Sequence, residues 1–228
     1  MLWNGKMKAL TFSYDDGPTE DIRLVDIFNK YGMKATFNLN SGMMISSHSW
    51  ICNDKTVRRI AKEDIGSLYD GHEIATHFLT HPNPIKISEE ELEHEIHQDI
   101  INLEEQFKCK IIGSAYPYGV TNDTVISLLK KYDIKYARSV YETNGFDIQT
   151  DLLNFQPTVF HLNENLMALA EKFISAAPDK PMLFYVWGHS YEFNSYDKWD
   201  VIENFCRFMS GRDDIFYGTN AQVFGLDE

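Results

Sequence analysis

Two adjacent carboxylates, Asp15 and Asp16, close an apolar run and are followed at once by Gly17-Pro18. Burying carboxylates at a strand end is unfavourable unless a cation compensates them. Downstream lie His77 and His81, four residues apart. Residues at that spacing face the same way on a helical turn, so both rings can reach one ion. Taken singly, each feature has a plainer alternative: two unrelated loop histidines before Pro82, and an Asp-Asp-Gly-Pro turn. Taken together, they favour an Asp-His-His metal set with a spare aspartate beside it. Three protein ligands with open positions are the pattern of a catalytic centre, and the constellation points to hydrolysis. Nitrogen and carboxylate donors suit zinc and other divalent transition metals. His72-Glu73 lies five residues from His77, so the helical metalloprotease spacing is absent. His189 follows the apolar run Met182 to Trp187 and Gly188. A histidine at such a strand end suits acid-base work, its ordinary pKa being about 6.5, and suits a satisfied core position equally.

These residues need a scaffold, and strand-like and helix-like segments alternate along the chain. Met7 to Tyr14, Ala35 to Leu39, Glu73 to Thr76, Ile112 to Tyr116, Tyr136 to Val140, Val159 to Leu162, Met182 to Trp187 and Phe216 to Thr219 read as strands. Asp21 to Tyr31, Val57 to Tyr69, Ser88 to Phe107, Thr121 to Tyr132, Glu164 to Ala177 and Tyr196 to Met209 read as helices. Ser88 with Glu91 forms a capping box, and Leu92, Ile96, Ile100, Leu103 and Phe107 share one face of that helix. Ser41 to Thr56 reads as an irregular rim loop. The alternation predicts an α/β fold with a largely parallel sheet. Asp15-Asp16, His77, Pro117-Tyr118 and Gly188-His189 all follow apolar strands, which favours a barrel with its site at the strand C-termini.

The 228 residues fit one domain spanning 1–228, with 43% hydrophobic and 14% aromatic residues to fill a core. Lys+Arg number 21 against 34 Asp+Glu, a formal charge of -13, which disfavours nucleic-acid and anionic-membrane partners. Cys52, Cys109 and Cys206 are odd in number and far apart, so a reducing compartment is expected. No apolar leader or bilayer-spanning stretch is present, and the chain in this form is expected to be cytoplasmic, or extracytoplasmic if a leader has been trimmed. The oligomeric state is left open.

In this order the motifs resemble the polysaccharide deacetylase family (carbohydrate esterase family four, the NodB-homology domain), from about Lys8 to about Tyr191. Tyr14-Asp15-Asp16-Gly17 resembles its first motif and His77-Phe78-Leu79-Thr80-His81 its second. Tyr116-Pro117-Tyr118-Gly119 resembles the end of the third, and Trp187-Gly188-His189 the fifth. The resemblance implies a distorted (β/α) barrel of about seven parallel strands. It implies a divalent metal, zinc first and cobalt or nickel as alternatives, on Asp16, His77 and His81. It further implies Asp15 as general base, His189 as general acid and the Tyr118 N–H as an oxyanion donor. The implied activity removes N-acetyl groups from an amino sugar or oligosaccharide. The alternatives are an O-acetyl esterase or small-amide hydrolase on the same fold, and a catalytically silent carbohydrate-binding barrel.

The sequence departs from the family pattern in the fourth motif, at Ala115 and at Trp187, the last standing where the family often has leucine. Ala115 stands where the third motif usually carries an arginine that orients the base, and Arg138 at the next strand end is the candidate replacement. The acidic partner of the catalytic histidine has no clean match; Asp151 is taken ahead of Asp147. Trp187, Tyr118 and Pro117 are the candidate sugar-binding surface. Phe78 is assigned to packing, His94 and His97 to a solvated helix face, and His48 and His161 to no role.

Overall fold

The computed structural model describes residues 2–226; Met1, Asp227 and Glu228 lie outside it. All eight residues of β1 (Lys8–Asp15) are buried, as expected of a strand covered on both faces. α1 (Asp21–Tyr31) follows and stops at Gly32, whose left-handed φ of 67° lets the chain reverse into β2 (Ala35–Leu39).

The segment after β2 departs from the sequence reading. Val57 to Tyr69 is not a helix. β3 (Ser49–Cys52) and β4 (Lys55–Arg58) pair antiparallel, with Trp50 opposite Val57. The turn between them places Asn53 and Asp54 at φ 46° and 61°. Two left-handed residues in succession are what a tight hairpin requires, and Asn and Asp tolerate that region. Val57, Ile60, Ala61, Ile65 and Tyr69 are all buried. Their spacing therefore imitates helical periodicity while the chain winds over the core in turns.

β5 (Glu73–Thr76) is followed by α2 (Glu89–Phe107), which opens on the Ser88–Glu91 capping box. β6 (Gly113–Ala115), α3 (Asp123–Lys131), β7 (Tyr136–Arg138), β8 (Val159–Phe160), α4 (Leu166–Ser175) and β9 (Met182–Gly188) continue the alternation. α5 (Ser190–Ser195), α6 (Trp199–Met209), β10 (Ile215–Tyr217) and α7 (Asn220–Phe224) complete it. The sheet runs β7-β6-β5-β2-β1-β9-β8, with β10 on the N-terminal half of β1. Every pairing within it is parallel. Phe155 reaches across toward the far edge: its N–H donates to Ala137 O (3.0 Å) and its carbonyl accepts from Ser139 N (2.9 Å). The result is a distorted (β/α) barrel. Phe12, Tyr14, Phe28, Phe37, Phe184 and Phe205 are among the buried aromatics that fill the core. Because the strands of this sheet all point one way, Asp15, His77, Arg138, His161 and His189 gather at one end. Among the described residues, no helix is long and apolar enough to cross a membrane.

Candidate active site

Asp15 and Asp16 both face one cleft, which regular strand alternation would forbid. Asp16 adopts a left-handed φ of 82°, and its N–H donates to Asn38 O at 3.0 Å. Gly17, also left-handed at 62°, continues the reversal. The backbone therefore turns the second carboxylate back beside the first.

Asp16, His77 and His81 each offer a ligand atom, all within 4.8 Å of one another. The histidines do not meet on a helical turn. They lie in an irregular loop in which Phe78 and His81 have φ of 64° and 57°. Asn40 clamps that loop by donating to the His77 and Phe78 carbonyls. His77 Nδ1 lies 2.8 Å from Ala115 O, which assigns the ring proton to Nδ1 and leaves the Nε2 lone pair free. Burial holds the His77 ring at about 4 and lowers His81 as well, so both are neutral donors. Two neutral imidazoles and one carboxylate fit a divalent transition metal. Burial would raise the Asp16 carboxyl, but Arg59 beside it, with the neighbouring histidines, holds it far below its ordinary value. Arg59 Nη2 donates to Asp16 Oδ1 at 2.9 Å, and Nη1 donates to Asn40 Oδ1 at 2.9 Å and to the Asp16 carbonyl.

Asp15 is almost wholly buried, at 2% exposure. Arg138 Nη2 contacts both its oxygens at 2.5 Å, while Arg138 Nε donates to Ser13 Oγ at 3.1 Å. Asn38 Nδ2 donates to Asp15 Oδ1 at 2.8 Å. Burial would raise this carboxyl, but the guanidinium, with His77 and His189, brings it below its ordinary value. The register explains how Arg138 arrives. Ala115 in β6 pairs with Arg138 in β7, so the cation stands at the same level one strand along. Trp187 covers the guanidinium, its ring centroid 4.8 Å from Cζ.

His189 Nε2 points toward both carboxylates, 3.9 Å from Asp15 Oδ2 and 4.0 Å from Asp16 Oδ2. Its acidic neighbour is Glu192, not Asp151. Glu192 Oε2, one turn along α5, lies 3.1 Å from His189 Nδ1 and accepts from His189 N at 3.2 Å. Asp151 is exposed and instead caps a short 3-10 turn, accepting from Leu153 N at 3.2 Å. Burial would lower His189, but Glu192 and the two aspartates raise it to about 9.

The cleft, about 390 Å³, is lined by these groups together with Tyr116, Tyr118, Val140, Trp187 and Tyr191. Tyr118 is 60% exposed on its rim, at a left-handed φ of 59°. Pro117 is buried and contributes no lining surface. Phe78 is fully buried, in keeping with packing. Arg59, Asn38, Glu192 and Tyr191 were not selected from sequence. Only Glu192 carried a usable signal, an acidic residue three positions after His189.

A family model for polysaccharide deacetylase matches residues 4–137, more than half of the sequence, and the chain belongs to that family. Among solved structures, it is similar to a family 4 carbohydrate esterase from Streptomyces lividans in complex with acetate. That match has 18% identity and a TM-score of 0.61, covering 97% of this chain and 96% of that one. It is also similar to a CE4 family pseudoenzyme from Bacillus anthracis, at 16% identity and a TM-score of 0.59, covering 98% of this chain and 66% of that one. A match to the Streptococcus pyogenes deacetylase PplD, at 22% identity and a TM-score of 0.51, covers 57% of this chain and 55% of that one, so the aligned part spans about half of that relative. At these identities the likeness shows the fold alone. Comparison with curated proteins finds no match.

Proposed function

We propose that this chain is a metal-dependent deacetylase that removes N-acetyl groups from an amino sugar or oligosaccharide. The supporting observation is the convergence, in one cleft, of the Asp16-His77-His81 donor set with a separate carboxylate, Asp15, held by Arg138. Because Arg138 stands beside Ala115 in register, the missing motif arginine has a substitute, which favours an active enzyme over a silent barrel.

A divalent ion on Asp16, His77 and His81, zinc being the first choice, would polarise the acetyl carbonyl and acidify the attacking water. Asp15 takes the water's proton as the water oxygen bonds to the carbonyl carbon. The Tyr118 N–H donates to the developing oxyanion. His189 delivers its Nε2 proton to the nitrogen as the C–N bond breaks and its electron pair passes to that nitrogen. Acetate and a free amine leave. Tyr118, Trp187 and Tyr191 present aromatic surface to a neutral sugar ring.

The test is acetate release from N-acetylglucosamine, chitooligosaccharides, acetylated xylan and small amides by zinc-loaded protein. Release from the N-acetyl sugars alone supports this reading. Release confined to xylan or small amides reassigns the substrate, and no release from any of them refutes it.

A further inference from the structure

One buried group beside the cleft has no part in the reaction described above. His161, fully buried at the end of β8, lies between Tyr14 and Glu192. Its Nδ1 is 3.1 Å from Tyr14 Oη. Its Nε2 is 3.0 Å from Glu192 Oε2, off the axis of an ideal hydrogen bond. Glu192 Oε2 is the same oxygen that meets His189 Nδ1 at 3.1 Å and accepts from His189 N at 3.2 Å. One carboxylate oxygen thus joins an inner histidine to the histidine of the cleft.

The surroundings are built around that inner ring. Phe193 and Phe160 pack on it with centroids at 4.1 and 4.5 Å. A side chain at Gly188 would collide with it, since a Cβ there would lie 2.3 Å from His161 Nδ1. The glycine of Trp187-Gly188-His189 therefore makes room for His161. Burial lowers the His161 ring, so it is a neutral imidazole whose Nδ1 accepts the Tyr14 hydroxyl and whose Nε2 carries the hydrogen. The nearest charged group to that nitrogen is the Glu192 carboxylate, 3.0 Å away. The two histidines together bring the Glu192 carboxyl down to about 2, although burial alone would raise it.

We propose that Glu192 and His161 are a positioning pair: Glu192 fixes the Nδ1–H tautomer and the aim of His189, and His161 holds Glu192 in place. The inference rests on the deacetylase reading for its consequence and on these distances for its geometry. With Nδ1–H directed at Glu192, the second proton of His189 sits on Nε2, the atom that faces Asp15 and Asp16.

Two measurements test it. Amides need their leaving nitrogen protonated, whereas 4-nitrophenyl acetate expels a phenolate that does not. Glu192→Gln is expected to lower kcat on a chitooligosaccharide by about tenfold or more while changing 4-nitrophenyl acetate hydrolysis by no more than about twofold. His161→Gln is expected to shift the ratio the same way by a smaller factor. Equal losses on both substrates, or no loss on either, would overturn the assignment. Separately, proton NMR of full-length protein is expected to show a downfield His189 Nδ1–H resonance, identified by its loss in His189→Gln. That resonance should vanish in Glu192→Gln and move upfield in His161→Gln, with far-UV dichroism confirming the fold. A resonance unchanged in both variants contradicts the pairing. If wild-type protein deacetylates nothing, the deacetylase reading fails while the resonance still decides whether the pair exists.

Discussion

At Asp15 a buried carboxylate meets a buried guanidinium, with side chains 3% and 1% exposed. Removing one partner of such a pair strands the other charge, at a cost of about 3–5 kcal/mol. Arg138→Ala is therefore expected to destabilise the protein by about that amount in urea titrations and to lower deacetylation by about a hundredfold. Arg138→Lys should recover stability in part, because one ammonium cannot meet Ser13 Oγ and both Asp15 oxygens as the planar fork does. Unchanged stability and turnover in Arg138→Ala would remove the arginine from the site. At this scale the sequence was most legible where side-chain type and chain order coincided, as at Asp15, Asp16, His77, His81 and His189. It was least legible at Arg59, which sits in a stretch whose buried apolar spacing imitates a helix. Glu192 is hidden in the sequence because the apolar pattern announces no separate helix over Ser190–Ser195, whereas Asp151 is exposed and caps a 3-10 turn.

Between elements, two short side chains govern how the site is held. Gly188 lies on β9 against His161, and Gly188→Ala is expected to displace that ring or the strand, costing about 1–3 kcal/mol by overpacking. Equal stability to wild type in thermal unfolding would show that the contact can relax. Asp21, buried at the start of α1, accepts from Ser190 Oγ at 2.6 Å and from Tyr69 Oη at 2.8 Å. It thereby ties α1 and the loop before β5 to the helix that follows His189. Burial, opposed by the hydroxyl hydrogen bonds of Ser190 and Tyr69, raises its carboxyl to about 7. A carboxyl whose folded pKa is raised binds its proton more tightly in the folded chain. Stability from this group is therefore greatest in acid and falls as pH rises from about 4, the unfolded value, to about 7, then levels off. Asp21→Asn is expected to flatten that slope in denaturant titrations run across the same window. An identical slope in the variant would contradict the assignment. The alternation of strands and helices was readable because core-facing apolar residues recur at the period of each element. The β3–β4 hairpin was not, because Asn53 and Asp54 set it through two left-handed residues and not through a hydrophobic pattern.

For the molecule as a whole, one parallel barrel gathers residues from distant stretches of sequence at a single rim, and family membership agrees with that architecture. The fold was legible because strand ends and chemistry-bearing residues coincide along the chain. The level at which each side chain reaches the rim was not, because it depends on register: Ala115 opposite Arg138 is a fact of pairing that no single segment carries. Zinc is expected to bind at one ion per chain and to raise the unfolding temperature, while His77→Ala should lose both effects. Stoichiometric binding that survives in His77→Ala would place the ion elsewhere. The decisive measurement is acetate release from a chitooligosaccharide by zinc-saturated wild-type and Asp15→Asn proteins, with metal content determined on the same samples. The expected result is release by the wild type and a loss of about a hundredfold or more in Asp15→Asn at unchanged metal content. Equal turnover by the two proteins, or no turnover by fully loaded wild type, would contradict a hydrolase in which Asp16 binds metal and Asp15 takes the proton.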